Sequence, residues 1–188
     1  MKKITLTLVL AVATLGASAQ TTFGIKAGAN SSSFSTSNTK TVWGFHAGAT
    51  MSNKLAPGWE VNSSLLYFTK GTKSELLDLN LNYLELSVLP TYALPTLPSQ
   101  ALLIKVGPYA GYGLNSSSTI YESGKSIKSS SNFFNNDKAN RIDFGLGLGA
   151  AYRIGHFEVG METRFGLLNV GDGDSKNQNV MFSVGYNF

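Results

Sequence analysis

The chain has no cysteine and only 5 prolines in 188 residues, so no disulfide framework can staple it. Charge is also scarce: Asp, Glu, Lys and Arg make up 14%, against about 25% in an ordinary soluble domain. Long apolar runs are missing. After the N-terminus none approaches the ~18 to 20 residues a spanning helix needs, which excludes a helical membrane protein. Helix-period patterning is hard to find after Gln20. Disorder is excluded by what is present, since 8 Tyr, 11 Phe and 2 Trp are too many for a chain that cannot build a core. The length suits one domain. With 43% hydrophobic residues and a mean hydropathy of +0.01, apolar residues must be consumed without being clustered.

The first 19 residues read as a targeting segment. Met1, Lys2 and Lys3 give a positive start, Ile4 begins a short apolar stretch, and Ala17-Ser18-Ala19 is a small-residue cleavage site. This is a secretory signal peptide, with an apolar part too short to span a membrane. Cleavage after Ala19 leaves a single domain over 20–188. It removes Lys2 and Lys3 and takes the formal charge from +4 to +2. No Lys/Arg cluster lies on a helix or stripe, so no nucleic-acid partner is expected.

Period-two alternation fills the rest. It runs through Phe23-Gly-Ile-Lys-Ala-Gly-Ala29, Trp43-Gly-Phe-His-Ala-Gly-Ala-Thr-Met51, 59–69, 83–88, 102–114, Ile142-Asp-Phe-Gly-Leu-Gly-Leu-Gly-Ala-Ala-Tyr152, 157–167 and Val180-Met-Phe-Ser-Val-Gly-Tyr-Asn-Phe188. Strict alternation indicates strands with two different faces. At about 9 to 13 residues they exceed the globular mode of about 5 to 6. Nine residues at ~3.3 Å each and a ~40° tilt rise roughly 23 Å, matching the ~25 Å apolar band of an outer-membrane barrel. Connections alternate too. Segments 31–42, 71–80, 115–140 and 168–179 are long and polar, while 53–58, 93–101 and 155–156 are shorter. That is the pattern of long extracellular loops and short periplasmic turns. Leu79 and Leu81 are out of phase with Leu84 and Leu86, which implies a bulge near Asn82 or a later strand start.

The two faces differ sharply. About 45 positions take the apolar phase with no charge among them, where a 14% charge content would place about six; a lipid-facing Arg or Lys at the midplane costs about 2 to 4 kcal/mol. The other phase carries Lys26, His46, Glu60, Lys70, Glu85, Lys105, Arg141, Asp143, Arg153, Glu158, Glu162 and Arg164. Six bases, five acids and one histidine on one face form a lumen charge network, because enclosed charges persist when paired. Intervening glycines make room for them, and eight strands give an interior that side chains just fill. The aromatics sort into girdles. Phe23, Trp59, Tyr92, Tyr152, Phe157, Tyr186 and Phe188 belong to the periplasmic ends; Trp43, Tyr67, Tyr112 and Phe165 belong to the outer ends. The predicted fold is all-β: an eight-stranded, antiparallel, up-and-down transmembrane barrel. A soluble lipocalin-like barrel is the competitor, with its apolar face inward.

Signals for chemistry are weak. Gly145-x-Gly147-x-Gly149 lacks dinucleotide-loop spacing and a following helix. Asp172 and Asp174 are two carboxylates in a polar loop, a poor calcium site. His46 and His156 are the only histidines. His46 would face the lumen near Glu60 and Ser64 if the second and third strands pair, and a nucleophile there could not reach an acyl chain. No catalytic residue, cofactor or metal is expected. Segment 115–140, with Ser116-Ser-Ser118, Tyr121, Lys125, Ser129-Ser-Ser131, Phe133 and Phe134, is the candidate surface-binding loop.

Several stretches resemble the small porin-family outer-membrane β-barrel domain of Gram-negative bacteria, in the OmpA/OmpX size class. They are Phe23-Gly-Ile-Lys-Ala-Gly-Ala-Asn30, Trp43-Gly-Phe-His-Ala-Gly48, Tyr83-Leu-Glu-Leu86, Val106-Gly-Pro-Tyr-Ala-Gly-Tyr-Gly113 and Phe144-Gly-Leu-Gly-Leu-Gly149. Ser87 stands where the family often has proline. Phe182-Ser-Val-Gly-Tyr-Asn-Phe188 is similar to the aromatic C-terminal signal read by the outer-membrane assembly machinery. The resemblance covers the mature chain and is specific for architecture, not activity. It implies a monomer in the bacterial outer membrane, surrounded by its lipid and lipopolysaccharide. A structural or surface-interaction role comes first, a narrow diffusion channel second, and a lipid-A-modifying enzyme third.

Overall fold

We describe a computed structural model of the chain over residues 21–34, 42–73, 77–122, 125–129, 141–169 and 176–188. Its described elements are strands: β1 (Thr21–Phe34), β2 (Val42–Ala56), β3 (Trp59–Lys73), β4 (Leu77–Leu97), β5 (Gln100–Glu122), β6 (Lys125–Ser129), β7 (Ile142–Ile154), β8 (Phe157–Asn169) and β9 (Lys176–Asn187). Neighbours pair antiparallel in the order β4-β3-β2-β1-β9-β8-β7-β5, and a β4–β5 ladder closes the ring. The first and last strands seal the barrel, with Ile25 opposite Tyr186. Closure leaves eight strands without a free edge. β6 stands outside the ring and returns along the far end of β5, with Tyr121 opposite Ser126.

Two-residue turns close one end. Gly58 at φ 77° and Gly155 at φ 56° adopt the left-handed conformation glycine tolerates, and Ser99 takes φ 62°. Backbone bonds tie these turns together: Ala93 N donates to Gly58 O, Gly155 N to Ser99 O and Asn187 N to His156 O, each at 2.8 Å.

The strands sort their side chains as the alternation requires, but inside out. In β7, Ile142, Phe144, Leu146 and Leu148 are exposed, while Asp143, Gly145 and Gly147 are buried. The large apolar side chains Phe23, Ile25, Phe45, Val106, Val159 and Val184 are each more than half exposed. An apolar surface this extensive has no place in water. A lipocalin-like barrel, with its apolar face inward, is excluded. Among charged residues whose exposure is described, only Lys54, at the short-turn mouth, is exposed. Of the girdle residues, Trp59, Phe157 and Phe188 are exposed at the short-turn end and Trp43, Tyr112 and Phe165 toward the other; Tyr67 and Tyr152 are half-buried. Trp59 meets Tyr92 at 5.0 Å between ring centroids, and Tyr186 meets Phe157 at 5.1 Å.

The expected strand lengths need correction, and the bulge expected near Asn82 is present. Strands are longer than expected: β4 has 21 residues and β5 has 23. Segments 71–80 and 115–140 are therefore partly strand. Beyond the bilayer a ladder needs no apolar face, so Ser- and Asn-rich strand reads as loop. The irregularity near Asn82 lies on β5: Asn82 pairs with Asn115 and Tyr83 with Gly113, leaving Leu114 as the extra residue. Leu81 keeps the inward phase of Tyr83 and Glu85 and is 1% exposed. The out-of-phase leucine is therefore a lumen residue. Arg141 precedes β7 at the loop end, half-exposed. The segments 1–19, 130–140 and 171–175 lie outside the described residues, and with them Phe133, Phe134, Asp172 and Asp174.

Candidate functional site

Inward-facing charge is the chemistry this sequence concentrates. Ten inward-facing acids and bases of the strands alternate in sign along one chain of contacts through the lumen. From the loop end, Asp143 lies 3.5 Å from the Lys70 ammonium, which is 3.3 Å from Glu85. Arg164 donates from Nε to Glu85 and from Nη2 to Glu162, both at 2.9 Å. Glu162 accepts from Lys26 at 2.6 Å and lies 3.9 Å from Lys105. Lys105 donates to Glu158. Arg153 then bridges Glu158 at 3.4 Å and grips both oxygens of Glu60, at 3.0 and 2.6 Å. Five cations meet five anions in this chain of contacts, so its own charges balance.

Strand geometry permits this. Glycines on the inward phase stand beside the longest side chains: a Cβ on Gly147 would lie 2.4 Å from Arg164 Nη1, and one on Gly149 2.5 Å from Glu162 Cγ. Gly28 and Gly48 serve the backbone instead. Added Cβ atoms would fall 1.9 Å from Phe182 O and 2.1 Å from Leu65 O.

The chain of ion pairs draws on β1, β3, β4, β5, β7 and β8. His46 adds the remaining two strands. It stacks on Phe68 at 5.2 Å, and its Nε2 meets Ser183 Oγ of β9 at 2.9 Å. Sequence reasoning set His46 near Glu60 and Ser64. β2 and β3 do pair, but the register puts Phe68 opposite His46, Lys54 opposite Glu60 and Thr50 opposite Ser64. Ser64 bonds Ser87 at 2.7 Å. The anticipated grouping does not form, because four residues along a strand separate Glu60 from Ser64 and four more separate Ser64 from Phe68, about 13 Å each.

Sequence reasoning also missed the apolar part of the lumen. Leu66, Phe68, Leu81, Tyr83 and Met181 pack together near the loop end, none more than 2% exposed. Leu66 and Phe68 share the parity of Lys70, so the signal was present. Among the described residues several buried polar atoms lack a hydrogen-bond partner: Asn30 Oδ1, both amide atoms of Asn179, Arg164 Nη1 and His46 Nδ1.

Open space gathers at the short-turn end. Mid-lumen, between Lys26, Asn62, Ser64, Lys105 and Glu162, a cavity of about 20 Å³ remains, room for about one water. A mouth of about 1320 Å³ opens among the short turns, bounded by Trp59, Gln100 and Arg153. No group of three His, Asp or Glu among the described residues is placed to hold a metal ion.

A closed antiparallel barrel with a lipid-type exterior and an ion-paired interior defines an outer-membrane β-barrel. The chain matches the outer membrane protein beta-barrel domain family over residues 4–188 and belongs to it. Among solved structures it is similar to Ail, the attachment invasion locus protein of Yersinia pestis, at 18% identity and TM-score 0.51, covering 90% of this chain and 99% of that one. It is also similar to Neisserial surface protein A at 14% identity and TM-score 0.53, covering 88% and 97%. At such identities the likeness shows the fold alone. No curated protein matches the chain.

Proposed function

We propose that this outer-membrane barrel is a closed scaffold acting at the cell surface, not a solute channel and not an enzyme. The observation that carries the reading is the unbroken sequence of ion pairs from Asp143 to Glu60, with a gap of only about 20 Å³ beside its middle stretch. Opening such a lumen would require pulling apart this network of mutually compensating buried charges. His46, 1% exposed, has no route to a lipid acyl chain. The signal segment 1–19, cleaved after Ala19, and the terminal Phe188 direct the chain to the membrane and its assembly machinery. The barrel resides there as a monomer among lipid and lipopolysaccharide. Surface interaction falls to the extension built by β4, β5 and β6. There β6 pairs with β5, and strand addition by a partner polypeptide is the recognition mode that suits such a hairpin.

Planar-bilayer recording tests the closed lumen. The expected outcome is no stable open state; a steady conductance of porin size overturns it in favour of the narrow channel. Deleting 118–136 should abolish adhesion of cells displaying the protein while the barrel still migrates as a folded, heat-modifiable band. Unchanged adhesion would refute the surface role.

A further inference from the structure

Lys70 is held unlike the other cations of the lumen. The Glu162–Lys26 and Glu85–Arg164 contacts are 2.6 and 2.9 Å, whereas the Lys70 ammonium stands 3.3 Å from Glu85 and 3.5 Å from Asp143. The latter two are at the long limit of a hydrogen bond. What surrounds it is aromatic. Its Nζ lies 5.1 Å from the centroid of Phe68, 5.0 Å from Tyr83 and 5.8 Å from Tyr109, all inside the ~6 Å over which a ring face attracts a cation. The three rings are at most 2% exposed and the two carboxylates at most 3%. Tyr109 also donates to Asp143 at 3.2 Å. Three ring faces and two carboxylates around one ammonium make a built cation site, drawn from β3, β4, β5 and β7.

We propose that Phe68, Tyr83, Tyr109, Glu85 and Asp143 form an ammonium-binding site inside the barrel, with Lys70 as its tethered occupant and primary alkylammonium ions as the ligand class it accepts. The carboxylates favour this: Lys70 pairs with both Glu85 and Asp143 beside the rings. The tether keeps soluble competitors out of the native protein through its high effective concentration. Lys70 is then the part of the lumen that closes the barrel to cations near the loop end. This inference rests on the closed-lumen reading and deepens it.

Lys70→Ala removes three methylenes and the ammonium, the atoms of n-propylammonium. Purified Lys70→Ala protein in detergent should unfold at lower temperature than wild type, and n-propylammonium should raise that midpoint dose-dependently. The expected rise is about 3 to 6 °C at ten times its dissociation constant. n-Propanol, of similar shape and uncharged, should not do so. Lys70→Met, which fills the site with a neutral chain, should not respond to the amine. If Lys70→Ala folds only when the amine is present, the site is equally supported. No response in a folded Lys70→Ala barrel overturns the proposal, as does an equal response in Lys70→Met, or Lys70→Ala failing to fold with and without amine while Lys70→Met folds. Wild-type conductance tests the closed lumen separately, so the two readings fail independently.

Discussion

The two ends of the lumen hold their charges in different ways. Toward the short turns, Arg153 grips both oxygens of Glu60 at 3.0 and 2.6 Å, and Asn62 adds a bond to the same carboxylate at 2.8 Å. This end lies beside an open mouth, and Arg153 keeps 18% of its side chain exposed. Deeper in, Arg164 and Glu162 are 1% and 3% exposed. There is room there for about one water, and rings take over part of the work, with the Arg164 guanidinium 5.7 Å from the Tyr109 centroid. Short, bidentate pairing beside the mouth gives way to shared pairing cushioned by aromatics. The same residue chemistry therefore carries different energetic weight at different depths.

The sharpest way to break that comparison is at Glu162, which serves Lys26 at 2.6 Å and Arg164 at 2.9 Å. Glu162→Ala takes the paired carboxylate from buried Lys26 and leaves Arg164 with Glu85, so the expected loss of stability is about 3 to 5 kcal/mol, measured as a lower denaturant midpoint in detergent micelles. Arg153→Ala leaves Glu60 with its Asn62 bond and with water from the mouth, so about 1 to 2 kcal/mol is expected. Equal losses at the two positions would show that depth does not grade the network and that the mouth is as dry as the centre.

How much of this was legible in the sequence follows from the same physics. Lipid on one side imposes a strict filter, so every second residue from Phe144 to Leu148 had to be apolar, and the strand count and face assignment could be read directly. The positions of Lys26, Glu85, Glu162 and Arg164 on the inner phase follow from the same parity. Their partners do not. Pairing Arg164 with Glu85 joins β8 to β4 across the barrel, and nothing local in the chain encodes that distance. His46 shows the limit. Strand neighbours were anticipated, but a register offset of a few residues put Phe68 rather than Ser64 opposite it. Outside the membrane the filter disappears. The Ser- and Asn-rich stretch of β5 from Asn115 to Ile120 pairs with β4, which composition cannot reveal. Leu81 misled for the opposite reason: an apolar side chain in the lumen breaks the alternation that identifies strands.

The smallest effect is expected at Asn179, and its sign matters more than its size. The residue sits opposite Arg164 on β8 and Ser32 on β1. It is 1% exposed, and neither its amide nitrogen nor its oxygen has a hydrogen-bond partner among the described residues. A buried amide without partners is a net cost, and an apolar group of similar shape removes that cost. Asn179→Leu should therefore stabilise the barrel by about 1 kcal/mol, read as a higher thermal midpoint. Destabilisation of similar size would mean that the amide holds water against the free Arg164 Nη1. The loop-end half of the lumen would then be the wetter one, and the contrast drawn between the two ends would reverse.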